Sequence, residues 1–135
     1  PNALHMLPGY TSTPQPQDLA FSRGYFPYDE MTEAKIRRAM AYYYATISQI
    51  DHHVGRLVAL LKDKNLYDNT LILYNSDHGD YMGYHHLLIK GNYMYEPLIR
   101  VPLIVKYPNQ QQAGSVCNAL VHSTDCAPTL LQSAG

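Results

Sequence analysis

Thr70-Leu71-Ile72-Leu73-Tyr74-Asn75 runs without a break into Ser76-Asp77-His78-Gly79-Asp80. The first six residues are apolar without alternation, which predicts a short strand covered on both faces. The next five bring an oxygen ligand, a nitrogen ligand and a glycine to the point where that strand stops. In open α/β sheets ligands bind outside the carboxyl ends of strands. Asp77 supplies a hard oxygen and His78 an imidazole nitrogen, and neighbours at a strand end can serve one ion. Gly79 lets the backbone turn without a Cβ in the way. On the pair alone two readings stand: a metal site, or an aspartate capping a turn beside a satisfied histidine.

Upstream, Thr32 reads as an N-cap with Glu33 favourably placed in the first helical turn. Ile36, Met40, Tyr43, Ile47, Ile50, Val54, Leu57 and Leu61 then recur at alternating spacings of four and three. That is one apolar stripe along a long amphipathic helix, with Lys35, Arg38, Gln49, Arg56 and Lys62 off it. At 1.5 Å per residue the helix would reach roughly 48 Å, longer than a chain of this size is wide, so it is expected either to bend or to pack on a larger body. Asn65 is the expected C′ residue. Residues 1–31 carry Pro8, Pro14, Pro16 and Pro27 with Gly9 and Gly24, and form an irregular, Pro-rich segment distinct from the body at 32–135.

Downstream, Leu103-Ile104-Val105-Lys106 predicts a second strand and Ala119-Leu120-Val121 a shorter third. Asp125 to Ala134 predicts a closing helix, capped by the Asp125 side chain and holding Pro128 in its first turn. Helix, short loop and buried strand together predict an α/β fold with a parallel sheet.

The chain has 135 residues, a formal net charge of -1 and seven histidines. It has no basic excess to neutralise phosphates, so nucleic acid is not an expected partner. No run of about 18 apolar residues exists, so no membrane span is expected. Thirteen tyrosines, two phenylalanines and no tryptophan supply apolar area with polar tips. Cys117 and Cys126 do not define a disulfide framework, and the compartment stays open.

Beyond Asp77 and His78 lie Gly83, His85 and Lys90 at fixed steps, then Tyr95-Glu96-Pro97 and Arg100-Val101-Pro102. Lys90 places an ammonium in a Gly-flanked, aromatic-rich turn, where it either meets an oxyanion as a point charge or is an ordinary surface lysine. The whole run, Asn75 to His85, Lys90-Gly91, Met94 to Pro97 and Arg100 to Val105, resembles the sulfatase pattern S-D-H-G-(E/D)-x-x-G-x-H-x(4)-K-G-x(3)-Y-E-x(3)-R-V-P-L-I. Sulfatases belong to the alkaline-phosphatase-like superfamily, so the resemblance implies part of an α/β fold with a mixed, mainly parallel sheet flanked by helices. The resemblance extends back through Ala41 to Leu57 and forward to Asp125-Cys126-Ala127-Pro128-Thr129-Leu130-Leu131, covering about residues 35–135. Residues 1–30 match nothing in it.

The resemblance implies roles. Asp77 and His78 fall on the family's second pair of metal-side residues. Calcium is the family's usual ion, with manganese, magnesium or zinc the alternatives where His stands. Lys90 falls on the lysine that contacts sulfate and supports charge on the leaving oxygen. His85 falls on a motif position that either lies near substrate or supports the groups that touch it. Tyr95, Glu96, Arg100 and Pro102 are structural, and Glu96 and Arg100, four apart, are spaced to pair. His52 and His53 point apart on the helix and belong to its surface; His5, His86 and His122 have no ligand partner at a useful spacing.

The family nucleophile is a formylglycine made from the cysteine of C-x-P-S-R. Cys126-Ala127-Pro128-Thr129-Leu130 fails that pattern, because Leu130 stands where the arginine should. The chain is therefore expected to be a piece of the enzyme, supplying part of the metal and sulfate site without the nucleophile, and inactive alone. The expected substrate of the parent is a small sulfated compound, a sugar or aryl sulfate. A phosphodiesterase or phosphonate hydrolase of the same superfamily is the rival enzyme, and a non-catalytic scaffold the rival outside enzymes. A half-domain with an open apolar stripe is also expected to self-associate.

Overall fold

The computed structural model describes residues 32–85 and 87–135. The described residues fall into two compact units. One holds the start of the long helix, up to Asp51, together with His78–Val101; the other holds His52–Asp77 and Pro102–Gly135. The segment 1–31, with His5, and His86 lie outside the described residues.

Helix α1 spans Glu33–Asp63. Its ends follow from its sequence. Thr32 Oγ1 accepts from the Lys35 N–H at 3.3 Å, which satisfies one of the otherwise unpartnered first-turn donors. At the other end Asn65 takes a left-handed φ of 56°. The Asn65 N–H donates to Lys62 O at 3.0 Å and the Leu66 N–H to Leu61 O at 2.8 Å, the paired bonds of a Schellman cap. Ile36 and Met40 of the apolar stripe are buried, while Ile47, Ile50 and Leu57 further along stay exposed among the described residues.

In the first unit, Ile36 and Met40 pack with Leu88 and Met82. A second cluster sets Tyr81, Leu87 and Leu98 against Tyr84, Tyr93 and Tyr95. The chain between them is short of regular structure: one helical turn, α2, spans Glu96–Ile99. Arg100 and Glu96 pair at 3.3 Å across that turn, as their spacing predicts, on an exposed surface where such a pair adds little stability.

In the second unit β1, Ile72–Asn75, pairs with β2, Leu103–Lys106. The pairing is antiparallel, Ile72 opposite Lys106 and Asn75 opposite Leu103. The mainly parallel sheet expected from the sequence is not what the described residues form. β2 follows β1 directly in strand order and runs back beside it, and an antiparallel neighbour needs no crossover helix. Ala119–Val121 is also no strand: Leu120 is fully exposed and the segment joins no ladder among the described residues.

Lys106, at the end of β2, ties the loop before β1 in place. Its ammonium donates to the carbonyls of Tyr67, Thr70 (2.9 Å) and Asp68 (3.4 Å), and lies 4.3 Å from the centre of the Tyr67 ring. The Asn109 N–H adds a bond to Asp68 O at 2.6 Å. Helix α3, Cys126–Ala134, closes the unit. Asp125 does not cap it by side chain, contrary to the sequence expectation. Its carboxylate turns back to accept from the His122 N–H at 2.8 Å and caps the preceding 3-10 turn, Ser123–Asp125, instead. Cys117 and Cys126 are both free thiols. The Asn75 amide donates to Cys126 Sγ at 3.8 Å, a packing contact.

Candidate active site

The candidate site begins where β1 stops. Asp77 is exposed, two residues past the strand, and His78 is next in the chain and half-buried. Two ring contacts of His78 fit one tautomer. Its Nε2 lies 3.2 Å from Lys90 Nζ, and an ammonium can only donate, so Nε2 must accept. Its Nδ1 lies 2.9 Å from Gly79 O, a carbonyl that can only accept, so Nδ1 carries the proton. In that tautomer the Nδ1–H is tied to a backbone carbonyl and the Nε2 lone pair faces the Lys90 ammonium. Metal-ligating histidines tie their other N–H in this way.

The backbone around His78 is held closely. The Gly79 N–H donates to Leu98 O at 2.8 Å. A Cβ on Gly79 would stand 2.0 Å from Pro97 O, so only glycine fits. A tight loop follows, closed by Tyr81 N–H to Ile89 O (2.9 Å), Met82 N–H to Leu88 O (2.8 Å) and Gly83 N–H to Leu87 O (2.6 Å). It delivers Lys90 back beside His78, twelve residues on. Lys90 itself is exposed.

His85 sits in this loop with a left-handed φ of 49°, unusual for a non-glycine residue. Its ring stacks on Tyr95 at 4.4 Å and 12° and meets Tyr84 edge-on at 4.4 Å. The stacking holds the strained residue in place. His52 and His53 are exposed on α1 as expected, their rings edge-to-face at 5.6 Å.

The structure therefore brings His78 and Lys90 together, and the chain sets Asp77 beside His78. The donor chemistry suits a divalent ion: an exposed carboxylate and an imidazole whose Nε2 is shared with Lys90. Among the described residues no three His, Cys, Asp or Glu side chains form a metal-holding group, so these two would be a partial ligand set. A metal on His78 Nε2 and the Lys90 ammonium would compete for one lone pair. Sequence reasoning did not find Tyr81, the close Gly79–Pro97 approach or Lys106, since each acts through backbone groups that side-chain spacing does not encode.

The family model described as Sulfatase matches residues 5–135, reaching further back than the residue-35 limit drawn from the motifs. The chain belongs to the sulfatase family. It is 41% identical over 101 residues to an N-acetylglucosamine-6-O-sulfatase of Bacteroides thetaiotaomicron, covering 75% of this chain and 18% of the relative. It is 39% identical over 106 residues to the multifunctional alkaline phosphatase superfamily protein PehA of Trinickia caryophylli, covering 78% and 20%. The crystal structure of yidJ from Bacteroides fragilis, assigned to the sulfatases, superposes with a TM-score of 0.67 at 32% identity, covering 86% of this chain and 26% of that one. The chain thus spans about a fifth of the length of the curated relatives it matches. Sulfatases in general work with a divalent metal and a formylglycine nucleophile. No helix among the described residues is long and apolar enough to cross a membrane.

Proposed function

We propose that this chain supplies part of the metal and sulfate site of a sulfuric ester hydrolase. The observation that carries the reading is the His78–Lys90 contact, which sets the imidazole Nε2, one residue after Asp77, 3.2 Å from an ammonium. Asp77 and His78 would hold the ion, calcium by family habit, with manganese or zinc better suited to the nitrogen ligand and magnesium a further alternative. The ion supplies a positive centre that polarises the ester and activates the nucleophile. Lys90 binds the sulfate and supports negative charge on the leaving oxygen as the ester bond breaks. His85 lies near substrate and helps bind it. The formylglycine nucleophile lies in a part of the protein outside this chain, as do the further strands that make the sheet mainly parallel. The substrate is a small sulfated sugar or aryl sulfate.

The similarity to PehA favours a second reading, in which the same ion and lysine act on phosphate diesters or phosphonates. One assay separates the two. The full-length protein, loaded with each divalent ion in turn, is given 4-nitrophenyl sulfate and bis(4-nitrophenyl) phosphate. Chelator-sensitive release of sulfate, faster than diester cleavage, is the expected result. Cleavage of the diester alone would replace the sulfatase reading with the second one.

A further inference from the structure

We propose that Tyr81 is a positioning residue for Lys90, an inference that rests on the anion-binding role proposed above. Tyr81 grips the chain on both sides of that lysine. Before it, the Tyr81 N–H donates to Ile89 O at 2.9 Å. After it, the Tyr81 ring lies against Gly91, where an added Cβ would sit 3.5 Å from both Cε2 and the hydroxyl. Two residues further, the hydroxyl donates to Tyr93 O at 2.7 Å and accepts from the Tyr93 N–H at 3.1 Å. One side chain thus satisfies both backbone groups of one residue.

The burial makes this grip matter. Tyr81 is 2% exposed and is the largest fully buried side chain among the described residues. Water cannot readily replace its hydroxyl, so losing it removes two of the bonds that hold Tyr93 and leaves its C=O to the Tyr95 N–H at 2.8 Å. Lys90, by contrast, is an exposed, flexible side chain whose useful placement depends on where its backbone sits. A shift of about 1 Å in that backbone is enough to cost up to about 100-fold in rate when the lysine must meet developing charge. Tyr81 touches neither the anion nor the ion in this scheme; it acts through the arc from Ile89 to Tyr93.

Tyr81→Phe keeps the ring and removes only the hydroxyl. In the full-length protein, kcat for 4-nitrophenyl sulfate is expected to fall about tenfold with KM changed by less than about twofold. The Tyr93 amide is expected to exchange faster with solvent, and Lys90 to acetylate faster relative to Lys35 and Lys62. An unchanged kcat in folded Tyr81→Phe overturns the proposal, even if the melting temperature drops. If the wild-type protein cleaves no sulfate ester, the functional reading fails on its own, and Lys90 acetylation decides the positioning claim: an unchanged rate overturns it. If the variant does not fold, exchange in the wild type decides, since a fast Tyr93 amide contradicts the grip and a slow one supports it.

Discussion

Lys90 Nζ lies 3.2 Å from His78 Nε2, so the residue read as an anion binder shares a lone pair with the residue read as a metal ligand. One atom cannot serve both at once. Loading the ion should release the ammonium toward whatever anion enters, which couples metal and substrate binding at the level of a single nitrogen.

His78→Asn replaces a nitrogen donor by a carbonyl oxygen. Oxygen suits calcium better than zinc or manganese. The activity of the full-length variant with calcium, relative to its activity with zinc or manganese, is expected to rise. A ratio that stays at the wild-type value would remove His78 from the ligand set.

Gly79→Ala forces a Cβ to within 2.0 Å of Pro97 O, a backbone atom with no flexible end to move. The expected cost is about 1–3 kcal/mol or more, read as a lowered denaturant midpoint. Activity should fall with it, because Gly79 O orients the His78 ring.

Lys106→Met keeps the aliphatic stem and removes the ammonium that three carbonyls and the Tyr67 ring share. A loss of about 1–3 kcal/mol is expected from the charged hydrogen bonds. Equilibrium unfolding measures it. Because Lys106 stands in the β-pair and not among the site residues, kcat of the folded variant should remain unchanged.

His85→Phe keeps an aromatic face for Tyr95 and deletes the ring nitrogens. If His85 binds substrate, KM rises severalfold while stability stays within about 1 kcal/mol, the scale of one aromatic pair. A stability loss without a change in KM would make the residue a stacking element only.

Much of the candidate site was legible because its residues sit at fixed steps after a strand end. The run from Ser76 to Lys90 named the candidate ligands, and the spacing of α1 gave a helix whose Thr32 and Asn65 ends the structure reproduces. The direction of β2 was not legible. Leu103-Ile104-Val105-Lys106 is apolar enough for either a parallel or an antiparallel neighbour, and pairing direction depends on the path of the chain between strands. Asp125 misled for a related reason: a carboxylate before a helix can serve the helix or the turn ahead of it, and here the His122 N–H holds it. Tyr81 was invisible as a functional residue because one tyrosine among thirteen carries no spacing signal.

The most direct measurement is steady-state hydrolysis of 4-nitrophenyl sulfate by the metal-loaded full-length protein and its Lys90→Ala variant. The account predicts a fall in kcat/KM of about 100-fold or more, the scale of losing one preorganised charge partner of the leaving oxygen, with an unchanged melting temperature. Equal kcat/KM in the two proteins would contradict the assignment of Lys90, and with it the reading of this chain as part of the sulfate site.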